Sequence, residues 1–427
     1  MNSDIAARTS LQSKRGRSQF DKWLFGQIFK AIGQAPVRLV LGDGTEITPA
    51  GNPVATVVIR DRKTLVRLAA DPEMAFGEAY SAGLIQVEGD LVAALEAVYD
   101  SWPQSGPDNR WYQRLMSKGM YWLQDNTQSG SKSNIHRHYD LGNDFYKLWL
   151  DSQLVYTCAY FPSPDTTLEA AQEAKMDYVC RKLRLRAGET VVEAGCGWGS
   201  LALHMARHYG VSVKAFNISR EQIAHARRQA AEKGLSGSVE FIEDDYRNIT
   251  GPFDVFVSVG MLEHVGFRHY REFAEVIHRA IGPGGRGLLH FIGRSHKADF
   301  SRWIRRRIFP GAYAPTLAEA MRVLQPHRYA VLDVENLRPH YARTLELWLD
   351  RFEKAGQQVS DMYGPWFQRA WRLYLAGSIA GFRAGALQLF QICFTGPQSP
   401  FQPWTRAPLY ADASSNSGCE KWIPATF

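Results

Sequence analysis

Cysteine is scarce in this 427-residue chain: Cys158, Cys180, Cys196, Cys393 and Cys419 are odd in number and share no repeated pair spacing. That excludes a disulfide framework or a closed zinc site, so no metal is expected, and it suits a reducing cytoplasm. The first twenty residues, MNSDIAARTSLQSKRGRSQF, lack the apolar centre of a secretory signal. A membrane-spanning run is missing too. The most apolar late stretch, Leu375 to Phe394, is interrupted by Arg383 and broken by Gly377, Gly381 and Gly385, so it reads as a helix pair, or a helix and a strand, in a core. Any lipid contact is therefore expected at a surface. A strong charge excess is also absent: 50 basic against 43 acidic residues leave a formal +7. This favours anionic surfaces without choosing between headgroups and nucleic acid.

What is present is apolar residue enough, 45%, for two buried cores. Phe20, Leu24 and Ile28 fall on one helical face, widened by Trp23, Phe25, Phe29 and Ile32, so residues 20 to 33 form an amphipathic helix that docks on its own domain or lies at a bilayer. Val37 to Leu41 and Val54 to Ile59 predict a strand pair, and a helix follows from Lys63. Helix, short strand and a helix opened by Asp90 complete a small α+β domain, placed at residues 1–125 by the polar linker QDNTQSGSKSN at 124 to 134. A second domain, 126–395, alternates strand-like runs (TVVEAG, VSVKAF, SVEFIEDD, VFVSVG, GLLHFIG) with helices from Ser200, Ser219 and Tyr270. That order predicts an α/β fold with a mainly parallel sheet. The Pro- and Ser-rich residues 396–427 predict an extended or disordered tail.

The turn after TVVEA carries Gly195, Gly197 and Gly199, which let backbone approach a nucleotide-like ligand at the carboxyl end of the first strand of that sheet. A dinucleotide fingerprint would need glycine where Ser200 stands, which disfavours NAD. Glu193 before the turn, NISREQ after the next strand, and Glu243, Asp244 and Asp245 after the third supply carboxylates and amides rather than cations. Such groups suit the ribose, ammonium and sulfonium of S-adenosylmethionine, not a pyrophosphate.

Seven ordered motifs, HYDLGNDFYKLWLDSQLVYTCAYF, EAGCGWGSLALHMA, NISREQ, DDYRNI, SVGMLEHVG, LLHFIG and HYARTLELWLDRF, span about His136 to Phe394. Together they resemble the cyclopropane fatty acid synthase and mycolic acid cyclopropane synthase family. The resemblance implies a Rossmann-like class I methyltransferase domain with a seven-stranded sheet, preceded by the small α+β domain. It implies S-adenosylmethionine contacts at Tyr139, Tyr156, Thr157, Gly195, Gly197, Asn217, Gln222, Tyr246 and Arg247, and a catalytic bicarbonate held by Cys158, Glu263, His290, Ile292 and Tyr341. The chain departs from the family's commoner pattern at Glu193, in place of Asp, and at Phe216-Asn217, in place of Val-Thr.

The implied reaction is methyl transfer to a cis double bond of an unsaturated phospholipid acyl chain, followed by bicarbonate-assisted proton loss that closes a cyclopropane. The same residues serve a methylene- or methyl-branched product equally well. A small-molecule O- or N-methyltransferase and a lipid-binding protein with a vestigial cofactor fold are the competing readings. Nucleic acid is not an expected partner, since GMLEHVG replaces the catalytic-loop motif of nucleic-acid methyltransferases after the fourth strand. The run SRWIRRRIFP, with Trp303 among arginines, is expected to join the Phe20 helix as a contact for the inner leaflet of the membrane. The N-terminal domain is expected to assist lipid engagement or homodimer formation. Taken singly, Cys158 and His290 read as ordinary core residues, Tyr341 as packing, and Glu263-His264 as a cap on a helix near Phe267.

Overall fold

A computed structural model describes residues 19–49, 51–101, 141–298 and 301–410. The first unit is a four-stranded sheet of β1 (Val37–Leu41), β2 (Glu46–Ile47), β3 (Ala55–Ile59) and β4 (Ile85–Gly89), in the order β2-β1-β3-β4. Val37, Leu39 and Leu41 alternate with half-buried neighbours, as do Ala55, Val57 and Ile59, so one face packs and the other stays partly wet. The expected strand pair exists, but β1 and β3 run parallel. Three helices of this unit open on an aspartate. Asp61 accepts from Thr64 N at the start of Arg62–Ala70, and Asp71 accepts from Met74 N at the start of Pro72–Ser81. Asp90 accepts from Val92 N at 2.7 Å as Leu91–Ser101 begins.

The helix at 19–31 buries Leu24, Phe25, Ile28 and Phe29, and its buried Asp21 pairs with Arg62 at 2.7 Å. Docking on its own unit therefore accounts for most of this helix. Phe20 and Trp23 do not join it: they are 52% and 57% exposed, with rings stacked 5.9 Å apart.

The second unit is a seven-stranded sheet of β5 (Thr190–Ala194), β6 (Ser212–Asn217), β7 (Val239–Glu243), β8 (Val255–Val259), β9 (Arg286–Gly293), β10 (Ala330–Asn336) and β11 (Gln388–Thr395). Its order is β10-β11-β9-β8-β5-β6-β7. β5 to β9 are mutually parallel where they pair, and β11 runs antiparallel between β9 and β10. Burial on both faces explains why VFVSV reads as a continuous apolar run rather than an alternation. Val191, Val213, Val257 and Leu288 pack toward helices Leu168–Leu183 and Ser200–Tyr209, while Val192, Phe256, Leu289 and Phe291 pack toward Tyr270–Ile281. The apolar stretch from Leu375 divides into the end of helix Pro365–Arg383 and β11, the helix-and-strand alternative.

One expectation changes here. The basic run at 301 to 310 is helix Arg302–Arg307, and it joins the two units instead of facing lipid. Arg302 is buried and bonds Glu73 and Asp71 of the N-terminal unit, buried Trp303 lies against Gly77, and Arg307 pairs with Glu78 at 2.6 Å. Carboxylates more than two hundred positions earlier in sequence thus take the place of headgroups. The described part of the expected tail packs on the second unit: Arg181 and Arg184 donate to the carbonyls of Leu409 and Thr405, each at 2.8 Å, and Arg406 pairs with Asp333. Residues 411–427 and the expected boundary near 125 lie outside the described residues.

No described helix is long and apolar enough to cross a membrane.

Candidate active site

The strand order reverses between β5 and β8, which opens a crevice at the carboxyl ends of the parallel strands. The strand-borne candidates follow β5, β6, β7 and β8 or lie near the end of β9, so the topology alone gathers them on one edge.

The cofactor half lies after β5, β6 and β7. Gly195 and Gly197 hold φ of +84° and +55°, and a Cβ at Gly197 would meet nothing within 4 Å, which leaves its backbone open to a ligand. Gly199 differs, because a Cβ there would press on Phe241 and Ala226. Asn217, at the end of β6, donates to Gly197 O at 3.2 Å and to Gln222 Oε1 at 2.6 Å, which locks turn, strand and helix Arg220–Glu232 together. Tyr246 follows β7, and its buried hydroxyl has no partner among the described residues. Arg247 is engaged by its own loop and by the helix Tyr270–Ile281. Its guanidinium pairs with Asp245 at 2.9 Å and Glu272 at 3.3 Å, and its N–H donates to Asp245 at 2.9 Å. It therefore holds Tyr246 in place more directly than it offers a group to a ligand.

The segment YTCAYF adds a cluster of aromatic rings. Tyr156 bonds the Tyr374 hydroxyl at 2.9 Å and lies 5.2 to 5.6 Å from the rings of Trp149, Trp348 and Tyr146. Trp198 of the glycine turn stacks edge-on to Tyr146 at 4.8 Å and donates to Asn143 at 2.7 Å. Tyr139 lies outside the described residues. The aromatic faces, the open backbone at Gly197, the unmatched Tyr246 hydroxyl and a buried Glu193 with one oxygen unmatched suit a nucleoside sulfonium.

Burial pushes the Glu193 carboxyl up to about 7. Its nearest compensating cation escapes sequence reasoning altogether. Lys175, on helix Leu168–Leu183, is buried, donates to Thr157 Oγ1 at 2.9 Å, and is pulled down to about 8 by that burial. No sequence signal separates it from the solvated lysines of any amphipathic helix.

The second half lies after β8 and on β9. Glu263 does not cap a helix near Phe267; it sits in its own short helix, Leu262–Val265, with its carboxyl buried. Oε1 accepts from Ile292 N at 2.6 Å, while buried Oε2 has no partner among the described residues. Burial raises this carboxyl to about 7 against the opposing pull of the Ile292 bond. His290 shares a strand face with Ile292. Its Nδ1 accepts from Gln391 Nε2 at 2.9 Å, which assigns the proton to Nε2, itself buried and unmatched among the described residues. Burial holds this imidazole well below its usual range, hence neutral.

Cys158 is buried, donates to Ala159 O at 3.0 Å, and has its thiol pushed up by burial, so it is no nucleophile. The adjoining Ala159 N donates to Thr344 at 3.0 Å, on the helix Arg338–Lys354 that carries Tyr341 one turn earlier. Tyr341 packs between Trp348 and Phe382. Of the five residues, Glu263 is bonded to Ile292 N, His290 lies two positions earlier on the same strand, and Cys158 adjoins the residue that bonds the Tyr341 helix. A proton-bearing carboxyl, a neutral imidazole donor and a strand N–H already committed to the carboxyl can orient a small anion.

Comparison with known proteins matches this architecture. The profile of the family described as mycolic acid cyclopropane synthetase matches residues 126–392, and a domain of unknown function matches residues 24–105. A probable fatty acid methyltransferase from Pseudomonas putida is 33% identical over 88% of this chain and 96% of its own length. The cyclopropane-fatty-acyl-phospholipid synthase of Escherichia coli K12 is 35% identical over 63% of this chain and 70% of its own. A crystal structure of mycolic acid cyclopropane synthase CmaA1 complexed with SAH and CTAB superposes with a TM-score of 0.58 at 30% identity, covering 62% of this chain and 97% of that one. With more than half its length inside that profile and its glycine turn at the switch point, the chain belongs to the cyclopropane synthase family of S-adenosylmethionine-dependent methyltransferases.

Proposed function

We propose that this enzyme alkylates the cis double bond of unsaturated phospholipid acyl chains and closes a cyclopropane, with a bound bicarbonate assisting proton loss. The observation that carries the reading is Glu263, a buried carboxyl with one oxygen pinned by Ile292 N and the other unmatched among the described residues. When bound, S-adenosylmethionine supplies the methyl group and bicarbonate supplies the acceptor for the departing proton.

An alkene attacks an alkylating carbon with its π electrons and needs no prior deprotonation, so the residues chiefly align and exclude water. Gly195, Gly197, Asn217 and Gln222 form the cradle for the donor, with Tyr139, Thr157, Tyr246 and Arg247 assigned to the same half. Attack leaves a cation on the neighbouring acyl carbon. The faces of Tyr156, Trp149 and Trp348 can stabilise positive charge by about 0.5 to 2 kcal/mol each. Loss of a proton from the new methyl then frees its C–H electron pair to close the ring. Glu263 at about 7 exists in both protonation states near neutrality, so it can share one proton with an anion and the pair titrates as a unit. His290 Nε2–H, Cys158, Ile292 and Tyr341 complete the anion's surroundings.

Residues 1–125 are proposed as the lipid-engaging or dimer-forming domain, 126–395 as the catalytic domain and 396–427 as the tail. The protein would work from the cytoplasm, peripherally on the inner leaflet, with exposed Phe20 and Trp23 as the contact. A second reading, a methylene- or methyl-branched product, draws support from the similarity to a fatty acid methyltransferase.

Glu263→Gln and Tyr341→Phe should bind S-adenosylhomocysteine as wild type does by calorimetry, yet lose most turnover on unsaturated phospholipid vesicles. Wild-type turnover in either variant would sink the anion-site assignment. Fragmentation mass spectrometry of the lipid product distinguishes ring from branch.

A further inference from the structure

The five residues assigned to the anion include no cation. A pocket that takes a small anion out of water needs positive charge as well as hydrogen-bond donors, because desolvation of the ion is otherwise uncompensated. Two buried lysines act on His290 through space: Lys175 and Lys182. Lys182 is committed, with Glu335 at 2.5 Å and Asp333 at 3.4 Å. Lys175 is not matched in that way. Its recorded bond, at 2.9 Å, goes to the neutral hydroxyl of Thr157, the residue preceding Cys158.

No carboxylate forms a direct ion pair with Lys175 among the described residues, although Asp151 and Glu193 act on it through space. Asp151 accepts from Gln153 N and Val155 N, each at 2.9 Å. Glu193 sits near half-protonation at neutral pH. Cys158 and Cys180 are held as neutral thiols by burial. On the far side, His204 and His290 are kept neutral by burial, and Lys175 lowers both further.

We propose that Lys175 is a positioning residue of the methyl-transfer site, a buried cation tethered by Thr157 Oγ1 behind Cys158, whose charge holds the bicarbonate in its pocket. This rests on the anion-site reading above. Thr157 fixes where the ammonium points, and the segment from Thr157 to Cys158 carries that charge from the cofactor half to the anion half. Lys175 need not touch the substrate or give up its proton. It acts as a fixed field.

Two variants separate charge from tether. Lys175→Gln keeps an N–H donor for Thr157 and removes the charge; Lys175→Met removes both at nearly constant volume. Bicarbonate binding is read without turnover, as the rise in melting temperature with bicarbonate concentration, and S-adenosylhomocysteine binding by calorimetry reports on folding. Wild type should show a saturable bicarbonate shift. Both variants should require about tenfold more bicarbonate or worse, as expected for losing one unit charge several Å away at intermediate dielectric. Across pH 7 to 9.5 the wild-type affinity should fall as Lys175 loses its proton near 8, and that step should be missing in Lys175→Gln. A wild-type response in Lys175→Gln overturns the proposal, leaving Lys175 a structural tether for Thr157. No bicarbonate shift in wild type overturns the anion-site reading itself, whereas loss of the shift in Glu263→Gln with retention in Lys175→Gln overturns Lys175 alone. Should Lys175→Gln bind no S-adenosylhomocysteine, Lys175→Met and the wild-type pH series decide, and a pH-independent wild-type affinity overturns the proposal.

Discussion

Glu263 carries two unlike oxygens, one paid for by a strand N–H and one left bare in a dry site. Its folded carboxyl titrates near 7, above the ordinary 4.5. The folded state therefore binds the proton more tightly than the unfolded chain, and stability falls as pH rises from about 4.5 through 7, by up to about 3 kcal/mol. Glu263→Gln keeps an acceptor for Ile292 N and deletes the charge. Its melting temperature should match wild type near pH 4.5 and exceed it at pH 8; a gap independent of pH would contradict the burial argument. Glu263 was singled out in the sequence through its motif, and a role for it came only from the family resemblance, since Glu-His before a helix on its own looks equally like a cap. Lys175 was illegible because burial of a lysine arises from what packs on the helix, and helix periodicity holds no record of that.

Helix Arg302–Arg307 shows how a local pattern misleads. Three consecutive arginines beside a tryptophan read as a headgroup contact, yet Trp303, Arg302 and Arg305 are buried. Arg302 pairs with Asp71 and Glu73, and Arg307 with Glu78; these carboxylates belong to another sheet system, and nothing near position 302 announces them. A Cβ at Gly77 would overlap the Trp303 indole. Gly77→Val should therefore destabilise the chain by about 1 to 3 kcal/mol through overpacking, read as a lower melting temperature. Replacing Arg305, Arg306 and Arg307 by glutamine should likewise lower the melting temperature, and leave sedimentation with anionic vesicles nearly unchanged. Strands and caps were far more legible than this interface. Asp61, Asp71 and Asp90 bond within three residues of themselves, so their information is local, whereas the parallel pairing of β1 with β3 depends on a crossing no short window contains.

Across the molecule, the apolar surface left over at the amino end is the stacked pair Phe20 and Trp23. Replacing both by serine should weaken vesicle binding at least severalfold and leave S-adenosylhomocysteine affinity intact, since the cofactor cradle lies in the other sheet system. Unchanged co-sedimentation would move the membrane face elsewhere. The alternation of strands and helices from β5 onward was readable because each element buries enough apolar surface to print its period. The order in which the strands lie side by side was not read from the sequence, because it depends on crossovers that no short window contains.

That order divides the work. The strand-borne residues assigned to the methyl donor hang from β5, β6 and β7, and the strand-borne residues assigned to proton removal hang from β8 and β9. On the proposed assignment, inheritance can act on one flank at a time: a lineage could keep its donor machinery untouched and trade one fate of the alkylated chain for another by altering the opposite flank alone.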